Sequence, residues 1–274
     1  MDIGPIGVFD SGYGGLTVLK EIQNRLPQYD YIYLGDNARA PYGNRSFETV
    51  YEYTWQCVEN LFNKGCNLVV LACNTASAKA LRNIQQRNLP VLNNGKRVLG
   101  VIRPTTEIIG NYTKSNSIGI LATSGTVNSN SYAIEIGHFY PEANVYQQAC
   151  PIWVPLIENN EFENDGADYF IQKYLNELLR QSNDIDTILL GCTHYPLIQR
   201  KIESLLPKNI KVLSQGKIVA DSLADYLQRH IEIEQVCSKN GKSTFYTTDS
   251  TELFDANAKI FYGKKVLSEY LHLS

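Results

Sequence analysis

The sequence predicts an α/β protein built from two pseudo-symmetric, doubly wound lobes, with mainly parallel sheets and the active site between them. Two observations carry that expectation. Short β-branched runs alternate with longer amphipathic stretches from one end of the 274-residue chain to the other, the pattern of strands joined by crossover helices. Two of those runs also recur in the second half, in the same order and with similar residues after them.

The runs at 6–9, 31–34, 68–72, 98–101, 118–121 and 187–190 are short and almost wholly apolar, as strands covered on both faces must be. Between the second and third, Phe47, Val50, Tyr51, Thr54, Val58, Leu61 and Phe62 fall at i, i+3, i+4 spacing, which predicts an amphipathic helix. Val219, Leu223, Tyr226 and Leu227 predict another near the C-terminus. Ile6-Gly7-Val8-Phe9-Asp10-Ser11-Gly12 lines up with Ile118-Gly119-Ile120-Leu121-Ala122-Thr123-Ser124-Gly125, offset by one residue at the glycine. Val69-Val70-Leu71-Ala72-Cys73-Asn74-Thr75 mirrors Ile188-Leu189-Leu190-Gly191-Cys192-Thr193-His194. The expected division is a first lobe of 1–97 plus 210–274 and a second of 98–209, with linkers near 93–97 and 207–211.

Composition narrows the function. With 25 Lys and Arg against 28 Asp and Glu the net charge is -3, which argues against a nucleic-acid partner, since such proteins carry clustered basic surface. No apolar run nears the roughly 20 residues of a membrane span. An acid at Asp2 and another at Asp10 replace the basic and apolar regions of a signal peptide, so a cytoplasmic location is expected. In that reducing compartment the six cysteines are expected as free thiols.

Ligands of open α/β sheets sit beyond the carboxyl ends of strands, where helix N-termini present unpaired N–H groups. Cys73 and Cys192 would both stand at such ends, and a helix N-terminus or a nearby cation lowers a thiol's pKa. Two activated thiols facing one cleft make a base and an acid; the plain alternative for each is a small apolar residue packed at a strand end. Asn74, Thr75 and Thr193 offer donors for a carboxylate, or simple helix caps. His194 can tune Cys192 or carry a proton. Asp10 suits an ammonium group or can orient a thiol, while Gly12, Gly14 and Gly15 after it lack the third glycine of a dinucleotide loop and read as a tight turn. The loop at 35–43 is a binding-loop candidate or a Pro-containing turn. Cys57, Cys66, Cys150 and Cys237 have no such context and read as packing or surface thiols.

Taken together, Val8-Phe9-Asp10-Ser11-Gly12-Tyr13-Gly14-Gly15-Leu16, Pro41-Tyr42-Gly43, Ala72-Cys73-Asn74-Thr75-Ala76 and Gly191-Cys192-Thr193-His194-Tyr195-Pro196 resemble the bacterial glutamate racemases over nearly the whole chain. The resemblance implies a cofactor-independent 1,1-proton transfer that interconverts L- and D-glutamate and supplies D-glutamate for peptidoglycan. It implies Cys73 as the base for D-glutamate and Cys192 as the base for L-glutamate, with Asp10 and His194 as their supporting acid-base groups. Asp10, Ser11, Tyr42, Gly43, Asn74, Thr75, Thr193 and His194 would line the substrate, with Thr123 and Thr126 as additions, and Glu158 matches a family carboxylate near the second cysteine. No metal and no pyridoxal phosphate are implied, and the subunits are expected to form a homodimer.

Overall fold

The structure, a computed structural model, describes residues 2–92 and 95–273. Ten strands among them form two sheets, parallel throughout. The first, with strands β1 (Ile6–Asp10), β2 (Tyr31–Gly35), β3 (Leu68–Leu71), β4 (Arg97–Gly100), β9 (Ser243–Thr247) and β10 (Ser268–Tyr270), runs in the order β10-β9-β2-β1-β3-β4. The second, with β5 (Ser117–Ala122), β6 (Asn144–Ala149), β7 (Thr187–Gly191) and β8 (Lys211–Leu213), runs β6-β5-β7-β8. The order β2-β1-β3-β4 therefore repeats as β6-β5-β7-β8, and the two lobes are pseudo-symmetric. β1 corresponds to β5 and β3 to β7, the two pairs that the sequence repeat aligned.

All six expected strands are present within a residue or two. The strands without a continuous apolar run are β6, β8 and β10, which close sheet edges and stay partly exposed, and β9, where Phe245 and Thr247 are buried but Ser243, Thr244 and Tyr246 are only partly so. An edge strand is covered less completely than a central one, so its composition gives a weaker signal.

Sheet membership shifts the expected lobe boundaries. Arg97–Gly100 pairs with β3, so it belongs to the first sheet, and Lys211–Leu213 pairs with β7, so it belongs to the second. The chain crosses at Val101 and returns at Ser214 and Gln215. Of the expected linker at 93–97, residues 93 and 94 lie outside the described residues and Arg97 opens β4. The linker expected at 207–211 is instead a turn inside the second lobe, leading into β8. Gln215 Nε2 donates to Val101 O at 3.1 Å, tying the two crossings together.

The helices follow from their apolar faces. Phe47–Asn63 buries Val50, Thr54, Cys57, Val58, Leu61 and Phe62, and starts at Ser46, whose hydroxyl accepts from the Thr49 N–H at 3.1 Å. Phe47 itself is exposed. Gly216–Arg229 buries Val219, Leu223 and Leu227 and packs against Leu16–Arg25, so the returning chain covers one face of the first sheet. No helix among the described residues is long and apolar enough to cross a membrane.

Candidate active site

Cys73 and Cys192 occupy matching places, one residue after Ala72 beyond β3 and one residue after β7, and both border a single cavity of about 60 Å³ between the lobes. Their settings differ. Cys73 is itself the N-cap of Asn74–Lys79, its sulfur accepting from the Ala76 N–H at 3.4 Å, so Asn74 and Thr75 are first-turn residues and not caps. Ser11 Oγ lies 3.4 Å from the same sulfur. Burial, with the Asp10 charge beside it, pushes the Cys73 thiol up to about 12, against the opposing Ser11 and Ala76 bonds. The helix N-terminus was expected to lower that value; desolvation of a sulfur sealed between two lobes is the larger effect.

Cys192 leads into the 3₁₀ turn Tyr195–Ile198 with Pro196 near its start. No helix N-terminus of the expected kind serves it; a histidine stands there. Cys192 Sγ is 3.8 Å from His194 Nδ1, and His194 Nε2 is 2.8 Å from Glu158 Oε1. Burial works against a charged imidazole, but bonds and charges from Cys192 and Glu158 outweigh it and push His194 up to about 10. An imidazolium thus sits between a carboxylate and a sulfur at neutral pH. Glu158 arrives at the end of Trp153–Glu158, whose Trp153 ring meets Tyr195 edge-on at 4.8 Å and fixes that helix against the turn.

Asp10 lies just behind the cavity wall, 1% exposed, accepting from the Gly12 N–H at 2.9 Å and from Thr193 Oγ1 at 3.4 Å. Burial raises its pKa, in part offset by His194 and by backbone N–H groups of Gly15 and Gly12. The glycines after it serve close approach. A Cβ on Gly14 would lie 2.2 Å from Thr193 Oγ1 and 2.4 Å from His194 Nδ1, and one on Gly15 would lie 2.5 Å from Asp10 Cβ. Neither glycine is among those with positive φ. Gly14 is where the first lobe admits the second.

The remaining candidates gather at the same seam. Thr75, from the first lobe, shares hydroxyl contacts with Thr123 at 2.9 Å and Thr126 at 3.4 Å. Thr123 caps Ser124–Ser129 and borders the cavity, while Thr126 sits behind it. Gly43 borders the cavity, where a Cβ would come within 3.1 Å of Thr123. Tyr42 borders it too, but its hydroxyl turns away and donates to Asp36. Asp36 is fully buried and also accepts from Arg39 Nε at 2.7 Å and Thr248 Oγ1 at 2.9 Å, which anchors the 36–43 loop. Asn74 borders the cavity while its side chain bonds Gln215 and Tyr132.

A family model described as Asp/Glu/Hydantoin racemase matches residues 6–223. The chain belongs to that family. It is 37% identical to a glutamate racemase of a Sulfurihydrogenibium species over 271 residues, covering 98% of each chain. Among solved structures it is similar to a glutamate racemase isoform from Bacillus anthracis, with a TM-score of 0.89, 33% identity and 98% of each chain covered. It is also similar to the glutamate racemase from Francisella tularensis in complex with D-glutamate, with a TM-score of 0.87, 32% identity and 100% and 99% coverage.

In this racemase the cavity wall takes in every expected site residue except Asp10 and Thr126, which stand directly behind it. Cys150, read from sequence as a packing or surface thiol, is fully buried and borders the cavity beyond β6; Cys57, Cys66 and Cys237 are buried packing thiols. Cys150 was missed because β6 has no apolar run to mark the strand end that it follows. Gln215 and Tyr132 were missed because an amide and a phenol carry no motif.

Proposed function

We propose that this racemase interconverts L- and D-glutamate by a two-thiol proton transfer, and so supplies D-glutamate for peptidoglycan. The reading rests on one observation above the others: two thiols at equivalent strand ends border one cavity from opposite lobes. An α-proton on a zwitterionic amino acid is only weakly acidic, so its removal needs a base on one face, a proton donor on the other, and stabilisation of charge on the α-carboxylate.

The Cys192 thiolate, beside the His194 imidazolium, takes the α-proton of L-glutamate. The bonding pair left on Cα delocalises into the carboxylate, which the hydroxyls and N–H groups of Ser11, Asn74, Thr75 and Thr193 receive. The Cys73 thiol then gives its proton to the opposite face, leaving D-glutamate, a Cys73 thiolate and a Cys192 thiol. In the reverse direction the roles exchange, with the substrate ammonium offsetting the charge on Cys73. Tyr42, Gly43, Thr123 and Thr126 shape and brace the wall around the side-chain carboxylate. The names of the curated relatives support glutamate as substrate, and the homodimer and cytoplasmic location belong to the same reading.

Proton NMR of L-glutamate in D₂O, with excess chelator and a parallel chiral assay, tests it. Loss of the α-proton signal together with appearance of D-glutamate is the expected result. No loss with glutamate but exchange on aspartate would transfer the activity to the shorter acid, and silence on both would end the reading.

A further inference from the structure

Asn74, Tyr132 and Gln215 close a ring of hydrogen bonds beneath the cavity. Asn74 Nδ2 donates to Gln215 Oε1 at 2.8 Å, Gln215 Nε2 donates to Tyr132 Oη at 2.7 Å, and the Tyr132 hydroxyl donates to Asn74 Oδ1. The ring runs one way: flipping Asn74 alone would set acceptor against acceptor, flipping Gln215 alone would set donor against donor, and flipping both would turn Gln215 Oε1 toward the Val101 carbonyl, so both orientations are determined. The three side chains are 2%, 0% and 4% exposed for Asn74, Tyr132 and Gln215, so water does not stand in for a lost partner. Gln215 Nε2 also reaches Val101 O and Thr105 Oγ1, each at 3.1 Å.

The members come from both lobes and from the segments that join them. Asn74 opens the helix after Cys73, Tyr132 lies on Ser131–Phe139 of the second lobe, and Gln215 and Val101 are the two crossings. Asn74 uses one Nδ2 hydrogen on Gln215, and its second has no protein acceptor among the described residues, while the residue borders the cavity.

We propose that Gln215, acting with Tyr132, is a positioning residue that aims the second Asn74 amide hydrogen at the substrate carboxylate. This rests on the racemase reading above. A donor held in place before the reaction stabilises the growing carboxylate charge without reorganising. An asparagine amide without the ring would rotate, and the donor would be lost for part of the time.

The test is a set of double-mutant cycles on purified full-length protein, reading racemisation of glutamate and thermal melting together. Tyr132→Phe, which keeps the aromatic packing, and Gln215→Met should each lower kcat/KM about tenfold, the scale of one net hydrogen bond, with most of the loss in kcat. In an Asn74→Ala background the same substitutions should change kcat/KM by less than about twofold, since nothing remains to aim. Their effects on melting persist in part in that background, through the Gln215 bonds to Val101, Thr105 and Tyr132 that do not involve Asn74. Equal losses with and without Asn74, or full activity in Tyr132→Phe, would overturn the assignment even if Gln215→Met fails to fold. Wild-type protein that racemises neither enantiomer would instead defeat the activity on which it rests.

Discussion

His194 Nε2 lies 2.8 Å from Glu158 Oε1, on the side of the imidazole opposite Cys192. That placement gives the two thiols unlike partners. One sulfur has a cation against it, and the other, Cys73, has a serine, a helix N–H and a buried carboxyl.

The pair makes stability depend on pH in a stated direction. His194 is raised from 6.5 to about 10, so its stabilising contribution is whole below pH 6.5 and is lost as pH climbs toward about 10. Glu158→Gln should lower the His194 pKa, measured by NMR titration of the ring. The melting difference between the two proteins should be greatest near about pH 6 and shrink by about pH 10. An unchanged titration would show that Glu158 does not hold the charge.

Replacing either sulfur should stop the chemistry while sparing the fold. Cys73→Ser and Cys192→Ser should each reduce racemisation by at least about a thousandfold, within the range a positioned acid or base supplies. Circular dichroism melts should stay near wild type. Full turnover by either variant would exclude a two-base mechanism.

Because the route needs one thiolate and one thiol, kcat/KM should follow a bell in pH, and a profile flat from about pH 6 to 10 would count against it. Enantiomers have equal free energy in water, so kcat/KM must be equal in the two directions at every pH. The unlike settings of Cys73 and Cys192 should therefore appear as different KM and kcat values for L- and D-glutamate that cancel in the ratio.

Gly14→Ala should separate the lobes. Its methyl would fall 2.2 Å from Thr193 Oγ1, and overpacking of this kind costs about 1–3 kcal/mol. The expected outcome is a lowered melting temperature with normal far-UV dichroism and a loss of activity larger than the loss of stability explains. Wild-type activity would mean that the loop yields without moving the second lobe.

Asp36→Ala leaves Arg39, the Tyr42 hydroxyl and Thr248 without their common acceptor. Stranding partners of a buried carboxyl costs about 2–4 kcal/mol, to be read from urea unfolding. Asp36→Asn should recover part of it. The Tyr42–Gly43 segment borders the cavity, so KM should rise in the alanine variant.

The architecture was legible where burial on both faces forces continuous apolar runs, as in β1, β3, β5 and β7, and those strands carry Asp10, Cys73, Thr123 and Cys192 at or just beyond their ends. The repeat between the halves was legible for the same reason. β6 and β8 lie at edges, where polar residues are tolerated, so the boundaries and the place of Cys150 were hidden. Burial also inverted one expectation, since the charge of a sealed Cys73 is governed by lost water more than by the helix it caps. The turns of the glycine loop were legible as turns, but not as the surface that receives Thr193 and His194. Contacts between segments far apart in sequence leave no local pattern.

The first sheet is completed from both ends of the chain. Tyr31 in β2 pairs with Ser243 in β9, and the whole second lobe is made between them. The second sheet is contiguous, from Ser117 to Leu213. During synthesis the inserted lobe therefore has all its strands before the outer lobe does, and the N-terminal half waits with the edge of β2 unpaired. An open parallel edge is a template for the wrong partner. Nascent chains stalled before β9 should be the species that chaperones hold.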